Sequence, residues 1–178
     1  MIDIKVLELA GFASALMALH VPFGKNCDSY VSANGSEDKK TDVYKGEWRV
    51  MLSEHDKDLL KRLVKAGDEH AKVVRGMVAY LEINAPRYWW AEMDTYRVGR
   101  EQLASESTMH IQGKGLSEEE LLVMKRELPE GTMQRRIIMV SYQTLRRIYH
   151  QRRTHRLPEW RQFCEWATKL PFSWVITI

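Results

Sequence analysis

The sequence predicts an α/β domain, because segments with the period of β-strands alternate along the chain with segments that carry helix signals. Residues 2–9 alternate apolar and charged side chains, which predicts a strand. Residues 53–67 begin with a serine cap, carry an apolar face and end at a glycine, which predicts a helix. Residues 74–83 are rich in strand-forming side chains, and a further strand is predicted around residues 136–140.

Further helices are predicted from local signals. A helix is predicted at residues 12–20, and Pro22 and Gly24 end it. Ser117 and Glu120 form a predicted capping box at the start of another helix. A helix is also predicted at residues 86–97, where Pro86 suits the first turn. Another is predicted at residues 141–153. The last predicted helix begins at Pro158, and its expected buried face is Trp160, Phe163, Cys164 and Ala167.

Composition narrows the classes of protein. The chain has 178 residues, 44% of them hydrophobic and 29% charged, which is typical of a globular domain. A net charge of +3 permits an anionic ligand but is too small to indicate a dedicated nucleic-acid-binding protein. The two cysteines have no metal-binding spacing, so we expect reduced thiols and a cytoplasmic location. We expect no membrane span, because no stretch reaches about 18 apolar residues.

We expect residues 1–178 to form one domain. Its weakest region is residues 26–44, which are rich in serine, asparagine, glycine, aspartate and lysine. This composition predicts a flexible loop within the domain.

Two predicted helices carry arginines within their apolar faces. On a helical wheel, Arg97 falls on the stripe of Trp90 and Met93, so its guanidinium is expected to meet a carboxylate or an anionic ligand. The alternative is that the side-chain stem packs while the charged group reaches water. Arg152 similarly falls on the apolar face of the helix at residues 141–153. On a flank of that helix, a row at spacings of four and three suits phosphate binding or a solvated surface: Arg146, His150 and Arg153.

The order of several motifs resembles the flavin-dependent thymidylate synthases. That family's signature is Arg-His-Arg, seven residues and then Ser; here Thr95-Tyr96-Arg97, seven residues and Ser105 keep the spacing. Ala85-Pro86 and Glu92 lie at the distances of the family's Ala-Pro pair and Gln. The segments LLKRLVKAGDEH and LPEGTMQRRIIMVSYQTLRRIYHQRRTHRLPEW resemble the flanking parts of the family, from about residue 52 to the C-terminus.

The resemblance implies an α/β (α+β) fold with an antiparallel sheet flanked by helices, usually in a homotetramer. Members of the family bind FAD and deoxyuridine monophosphate between subunits. They transfer a methylene group from methylenetetrahydrofolate and reduce it with the flavin, which NADPH recharges; the cofactor carries the chemistry.

The resemblance also assigns site residues by position. It places substrate contacts at Glu92, Arg97, Ser105, Glu106 and Ser107, and at Arg152 or Arg153 for the phosphate. It places cofactor contacts at Tyr96, Arg97 and His150. Family residues are replaced at Thr95, Tyr96, Ser107-Thr108, Val74 and Glu92. A nucleophilic role for Ser105 is not supported, because no histidine and aspartate lie nearby in sequence to activate it.

Three hypotheses follow. The leading one is an enzyme that transfers a one-carbon unit to a pyrimidine nucleotide, either a methyl or a hydroxymethyl group, with hydroxyls at residues 105–108 replacing lost arginines. The second is an inactive relative that acts as an oligomeric nucleotide-binding or interaction protein. The third, a nucleic-acid binder, depends on the basic patch at residues 135–156 and is the weakest, because Glu118, Glu119 and Glu120 dilute that field.

Overall fold

The computed structural model describes residues 1–24, 30–38 and 43–178, and it describes residues 30–38 and 43–51 by their backbone alone. The chain divides into two compact units. We call Met1–Leu9 with Val78–Thr177 the sheet unit, and Ala10–Met77 with Ile178 the smaller unit.

The described part of the chain contains the following elements in order. The strands are β1 (Asp3–Ala10), β2 (Tyr30–Asp38), β3 (Val43–Met51), β4 (Val78–Pro86), β5 (Arg100–Ser105) and β6 (Met133–Ser141). The helices are α1 (Phe12–His20), α2 (Glu54–Ala66), α3 (Arg87–Met93), α4 (Thr108–Ile111), α5 (Glu118–Glu127), α6 (Tyr142–Arg152), α7 (Pro158–Ala167) and α8 (Trp174–Thr177). Helices in these described ranges are too short or too polar to span a lipid bilayer.

The smaller unit combines α1, α2 and a hairpin in which β2 pairs antiparallel with β3. Helix α2 begins where predicted, because Ser53 Oγ accepts a hydrogen bond from the backbone N–H of Asp56 at 3.1 Å. It ends at Gly67. The two helices bury apolar side chains: Phe12, Ala15, Leu16, Leu19, Leu59, Leu60 and Val64.

The sheet unit contains a four-stranded sheet in the order β1-β4-β6-β5, in which β6 runs antiparallel to both β4 and β5. Helices α3 and α6 follow β4 and β6 directly and contact them. An aromatic cluster joins α3 to α7, where the rings of Trp89 and Trp160 lie 4.8 Å apart and those of Trp89 and Phe163 lie 5.6 Å apart. This architecture confirms the predicted antiparallel sheet flanked by helices.

Three sequence predictions need correction. Residues 30–38 form a strand within the predicted loop at 26–44, because ladder hydrogen bonds join backbone groups whatever the side chains; residues 25–29 and 39–42 lie outside the described residues. The strand predicted at 74–83 begins at Val78 and continues to Pro86. Strand β5 was not predicted, and the helix predicted at 86–97 ends at Met93.

Candidate functional site: an arginine-lined pocket

A pocket of about 310 Å³ lies in the sheet unit, where the turn after α3 meets the C-terminal part of α6. It is lined by Thr95, Tyr96, Arg97, Val98, Arg147, Gln151 and Arg152. Three of these residues carry a guanidinium, and none of the described residues that line it is acidic. The pocket therefore suits an anionic ligand, because guanidinium groups bind phosphate and carboxylate through paired hydrogen bonds.

The turn that forms one wall is fixed to the start of α6. Thr144 Oγ1 donates to the carbonyl of Val98 at 2.7 Å, and the N–H of Ser141 donates to the carbonyl of Gly99 at 2.8 Å. Gly99 has φ +73°, and a Cβ there would lie 2.5 Å from Thr144 Oγ1 and 2.6 Å from Ser141 Oγ. Only glycine fits this close approach, so the sequence at residue 99 sets the position of the pocket wall.

Arg152 is the most constrained of the three arginines. Its Nη1 donates to Glu92 Oε2 at 2.7 Å, and its Nε donates to the hydroxyl of Tyr96 at 2.9 Å. Trp160 Nε1 donates to the same Glu92 oxygen at 2.8 Å, and the Arg152 guanidinium stacks 4.8 Å from the Trp160 ring. His155 Nε2 lies 2.9 Å from Arg152 Nη1. Two predicted site residues, Glu92 and Arg152, are therefore brought together, and they bind each other.

Tyr96 lies under this network and is only 5% exposed. Its hydroxyl donates to Gln151 Oε1 at 2.9 Å and accepts the bond from Arg152. Its ring packs against Trp160, with centroids 6.0 Å apart. Tyr96 therefore forms part of the floor of the pocket and offers a ligand little surface.

Arg97 is exposed, which corrects its predicted position on an apolar face. The helical wheel was wrong there because α3 ends at Met93, so Arg97 belongs to the turn and not to the helix. The backbone N–H of Arg97 donates to the carbonyl of Thr95 at 3.2 Å, whereas among the described residues its guanidinium has no hydrogen bond or ion pair. Arg147 was not predicted as a site residue. Among the described residues, its guanidinium donates only one hydrogen bond, a long one of 3.4 Å to the carbonyl of Val98. These two guanidinium groups are the ones available to a ligand.

Ser105, Glu106 and Ser107 lie at the opposite end of β5 from the pocket. Arg100 Nε donates to the carbonyl of Tyr96 at 3.1 Å, which places the first residue of β5 beside the pocket turn. The strand then runs for six residues, so its ends lie about 17 Å apart. The carboxylate of Glu106 accepts a hydrogen bond from Arg135 Nε at 2.9 Å. One copy of the chain therefore does not bring residues 105–107 to Arg97.

The other two predicted site residues do not line the pocket. His150 is exposed in the last turn of α6, Arg153 is exposed directly after that helix, and both contact the ring of Tyr149. The Arg153 guanidinium lies 5.8 Å from that ring, whereas Arg152 lines the pocket. Of the two arginines that the resemblance left open for phosphate, the pocket contains Arg152.

A second charged network, also missed from the sequence, ties the end of α3 to the sheet. Asp94 Oδ1 accepts from Arg100 Nη2 at 2.9 Å, and Asp94 Oδ2 accepts from Arg136 Nη1 at 3.0 Å. The Arg136 guanidinium lies over the Trp90 ring at 4.6 Å. The sequence shows that Asp94 lies four residues after Trp90. It does not show that the two arginines that bind Asp94 come from β5 and β6. This network therefore fixes the start of the turn at residues 95–99 to strands β5 and β6.

Two titratable groups near the Trp160 cluster have shifted pKa values. Burial raises the pKa of the Cys164 thiol to about 11, and the positive charge of Arg152 opposes this shift. The hydrogen bond to Glu159 at 2.8 Å, together with burial and the charge of that carboxylate, raises the pKa of Tyr88. Both groups stay protonated near neutral pH, so neither is a ready nucleophile or base.

Solved structures with the same fold bind nucleotides. The flavin-dependent thymidylate synthase ThyX from Helicobacter pylori, complexed with FAD and dUMP, has a TM-score of 0.68 and 12% identity over 98% of each chain. Another structure of that organism's thymidylate synthase X with FAD and dUMP has a TM-score of 0.69 and 12% identity, over 99% of this chain and 98% of that chain. The UMP/dUMP methylase PolB from Streptomyces cacaoi, bound with 5-Br dUMP, has a TM-score of 0.63 and 11% identity, over 99% of this chain and 95% of that chain.

Neither the protein-family models nor the curated proteins match this sequence. At identities near 12%, the structural likeness establishes the architecture. It covers the smaller unit as well as the sheet unit, because nearly the whole chain is aligned. The chain therefore has the fold of the flavin-dependent thymidylate synthases.

Proposed function

We propose that the chain is a divergent flavin-dependent thymidylate synthase-like enzyme that transfers a one-carbon unit to a pyrimidine deoxynucleotide. One observation carries the proposal: the arginine-lined pocket includes Arg97, which keeps its place in the family's signature on a chain with that family's fold. The product is either a methylated or a hydroxymethylated pyrimidine. Either product requires a pyrimidine deoxynucleotide to be held at the pocket.

Arg97 and Arg147 bind the nucleotide phosphate in this proposal. Both line the pocket, and neither has a strong acceptor among the described residues. Arg152 is held by Glu92 at 2.7 Å, so it contributes its charge while keeping its position. Glu92 stands where the family has Gln. Its carboxylate accepts hydrogen bonds from Arg152 and Trp160 within the protein. In this proposal the phosphate is therefore held by Arg97 and Arg147 and not by Arg152.

A homo-oligomer, a tetramer as in the family, completes the site. Residues 105–107 lie about 17 Å along β5 from the pocket turn of their own chain. If Ser105, Glu106 and Ser107 contact the same nucleotide as Arg97, they come from a second copy. Light scattering of the purified protein measures the number of chains in the assembly. A monomer would leave residues 105–107 too far from Arg97 to contact the same nucleotide.

The predicted flavin contacts fit FAD only in part. The exposed guanidinium of Arg97 suits the anionic pyrophosphate of FAD. Tyr96 does not fit, because its hydroxyl is bonded to Gln151 and Arg152 and its side chain is enclosed. His150 is exposed on α6, beyond the residues that line the pocket. FAD, when bound, would supply the hydride, with methylenetetrahydrofolate and NADPH as co-substrates.

The test begins with the colour of the purified protein. A yellow protein, or one that takes up added FAD with flavin absorbance, supports the proposal. The protein is then incubated with FAD, NADPH, methylenetetrahydrofolate and either dUMP or dCMP, and the nucleotide is analysed by mass spectrometry. A methylated or hydroxymethylated product identifies the reaction. A colourless protein that takes up no FAD would overturn the enzymatic proposal.

The second candidate is an inactive relative that binds a nucleotide as an oligomeric binding protein. The observation that favours it is the closed network of Glu92, Arg152, Tyr96 and Trp160, in which polar groups satisfy one another. Binding of dUMP without flavin uptake or product would establish this candidate. For either candidate we propose a cytoplasmic location, in keeping with the free buried thiol of Cys164.

A further inference from the structure

Three side chains of the smaller unit direct metal-binding atoms towards one point. Nε2 of His20 lies 2.5 Å from Oδ1 of Asp56, and Nδ1 of His55 lies 3.5 Å from the same oxygen. All three ligand atoms lie within 4.8 Å of one another. This convergence is independent of the arginine-lined pocket and of the proposed reaction.

The fold brings these residues together from two helices. His20 is the last residue of α1, and His55 and Asp56 lie in the first turn of α2, which Ser53 caps. His20 is 2% exposed and Asp56 is completely buried, whereas the side chain of His55 is 61% exposed. The cluster is therefore anchored in the core of the smaller unit and open to solvent on one side.

A hydrogen-bonded pair accounts for only part of this arrangement. Burial of an imidazole and a carboxylate is satisfied when the two groups bind each other, as His20 and Asp56 do. The pair does not explain why the ring of the exposed His55 also directs a nitrogen at the same carboxylate oxygen. Two imidazole nitrogens and one carboxylate oxygen are the ligand set of many zinc sites with three protein ligands.

We propose that His20, His55 and Asp56 bind a divalent transition-metal ion of the zinc type. Two ligands of a tetrahedral zinc ion lie about 3.4 Å apart, which follows from metal–ligand distances of about 2.1 Å. The separation of His55 and Asp56 already matches this value, and the contact between His20 and Asp56 opens by about 1 Å to admit the ion. Calcium and magnesium are disfavoured because two of the three ligands are nitrogen.

The bound ion would join α1 to α2. The ligands are separated along the chain by residues 21–54, which include β2 and β3, so coordination would close a long segment of chain. Water completes the coordination on the exposed side of His55. A site of this kind stabilises the smaller unit, because the ion binds the folded arrangement and not the unfolded chain.

Titration of untagged, metal-free protein with zinc chloride tests the proposal. Isothermal calorimetry is expected to show one zinc ion per chain, and X-ray absorption is expected to show nitrogen and oxygen ligands without sulfur. His55→Ala should weaken binding more than about 100-fold, since it removes a direct ligand. Because His55 is exposed, this variant is expected to fold even if His20→Ala or Asp56→Asn does not.

His70→Ala is the matched control, because His70 is another exposed histidine of the smaller unit and lies outside the cluster. Its zinc affinity should equal that of the parent. Saturating zinc should also raise the thermal midpoint of the parent by about 5 °C or more, and should leave that of His55→Ala nearly unchanged. Absence of stoichiometric zinc binding, binding through sulfur, or equal affinity in His55→Ala would overturn the proposal.

Discussion

Glu92 and Asp94 lie two residues apart at the end of α3, yet their carboxylates serve different parts of the sheet unit. Asp94 binds Arg100 and Arg136, which come from β5 and β6. Glu92 binds Arg152 and Trp160, which come from α6 and α7. Residues two apart on a helix point to nearly opposite sides, so one carboxylate faces the sheet and the other faces the helices.

The two networks have different roles: the Asp94 network fixes the structure of the turn, and the Glu92 network takes part in the pocket. Arg100 and Arg136 do not line the arginine pocket, whereas Arg152 does. The same interaction, a carboxylate with a guanidinium, is therefore used once to fix the turn at residues 95–99 and once to set the charge of the pocket. If this distinction holds, variants of Asp94 should change stability alone, and variants of Glu92 should change ligand affinity as well.

Gly99→Ala should have the largest effect, because this residue holds the turn between the two networks. The added methyl group would collide with Ser141 and Thr144, and alanine is strained at φ +73°. We expect a loss of about 2–4 kcal/mol in the free energy of unfolding, measured by urea denaturation. Gly131→Ala is the control, since a Cβ there meets nothing within 4 Å. Equal stability of the two variants would contradict this account of the turn.

Asp94→Ala should come next. It leaves Arg100 and Arg136, which are 9% and 15% exposed, without their counter-charge. We expect a loss of about 1–3 kcal/mol in the free energy of unfolding. The loss is expected towards the lower end of this range because Asp94 is half-exposed and its charge is screened by water. Affinity for dUMP should change by less than about 2-fold, since the pocket arginines remain. Asp58→Ala removes an exposed carboxylate as a control, and a large loss of dUMP affinity in Asp94→Ala would erase the distinction between the networks.

Glu92→Gln should affect stability less and binding more. Glutamine keeps an acceptor for Trp160 but removes the negative charge that holds Arg152. We expect a loss of about 1 kcal/mol in unfolding free energy and an affinity for dUMP that is about 10-fold higher, because Arg152 becomes available to phosphate. Calorimetry measures the affinity, with Glu165→Gln as a surface control. Weaker dUMP binding in Glu92→Gln would show that the carboxylate itself contacts the nucleotide.

Glu106→Gln should have the smallest effect on stability. Its partner Arg135 is 53% exposed, and exposed ion pairs contribute less than about 1 kcal/mol. Urea denaturation at low and high salt should give nearly the same difference from the parent. A loss of several kcal/mol would mean that Glu106 is buried against a second copy of the chain.

Local signals in the sequence predicted much of the fold. Ser53 and Gly67 bound α2 as expected, and the capping box of Ser117 and Glu120 is present at the start of α5. These signals are reliable because each depends on residues within a few positions of one another. Strand β5 has no such signal: its sequence REQLAS lacks a β-branched pattern, and the strand exists through its pairing with β6.

The candidate site could be predicted only in part, for the same reason. Glu92 and Arg152 were both singled out, but they are 60 residues apart, and their bond depends on how α3 and α6 pack. Arg97 was predicted as a ligand contact and lines the pocket, but its predicted place on the helix was wrong because α3 ends four residues earlier. Arg147 was missed because its place in the pocket depends on packing of α6 against the turn, where its guanidinium lies 5.7 Å from the Tyr96 ring, and no local pattern records this.

Binding of dUMP to the parent and to three arginine variants tests the central claim most directly. Calorimetry should show that Arg97→Ala and Arg147→Ala each weaken dUMP about 10- to 100-fold, because each removes a charge-assisted contact to phosphate. Arg126→Ala, an exposed arginine of α5 outside the pocket, should bind like the parent. A parent protein that does not bind dUMP, or pocket variants that bind it as tightly as the parent, would contradict the proposal that this pocket holds a pyrimidine nucleotide.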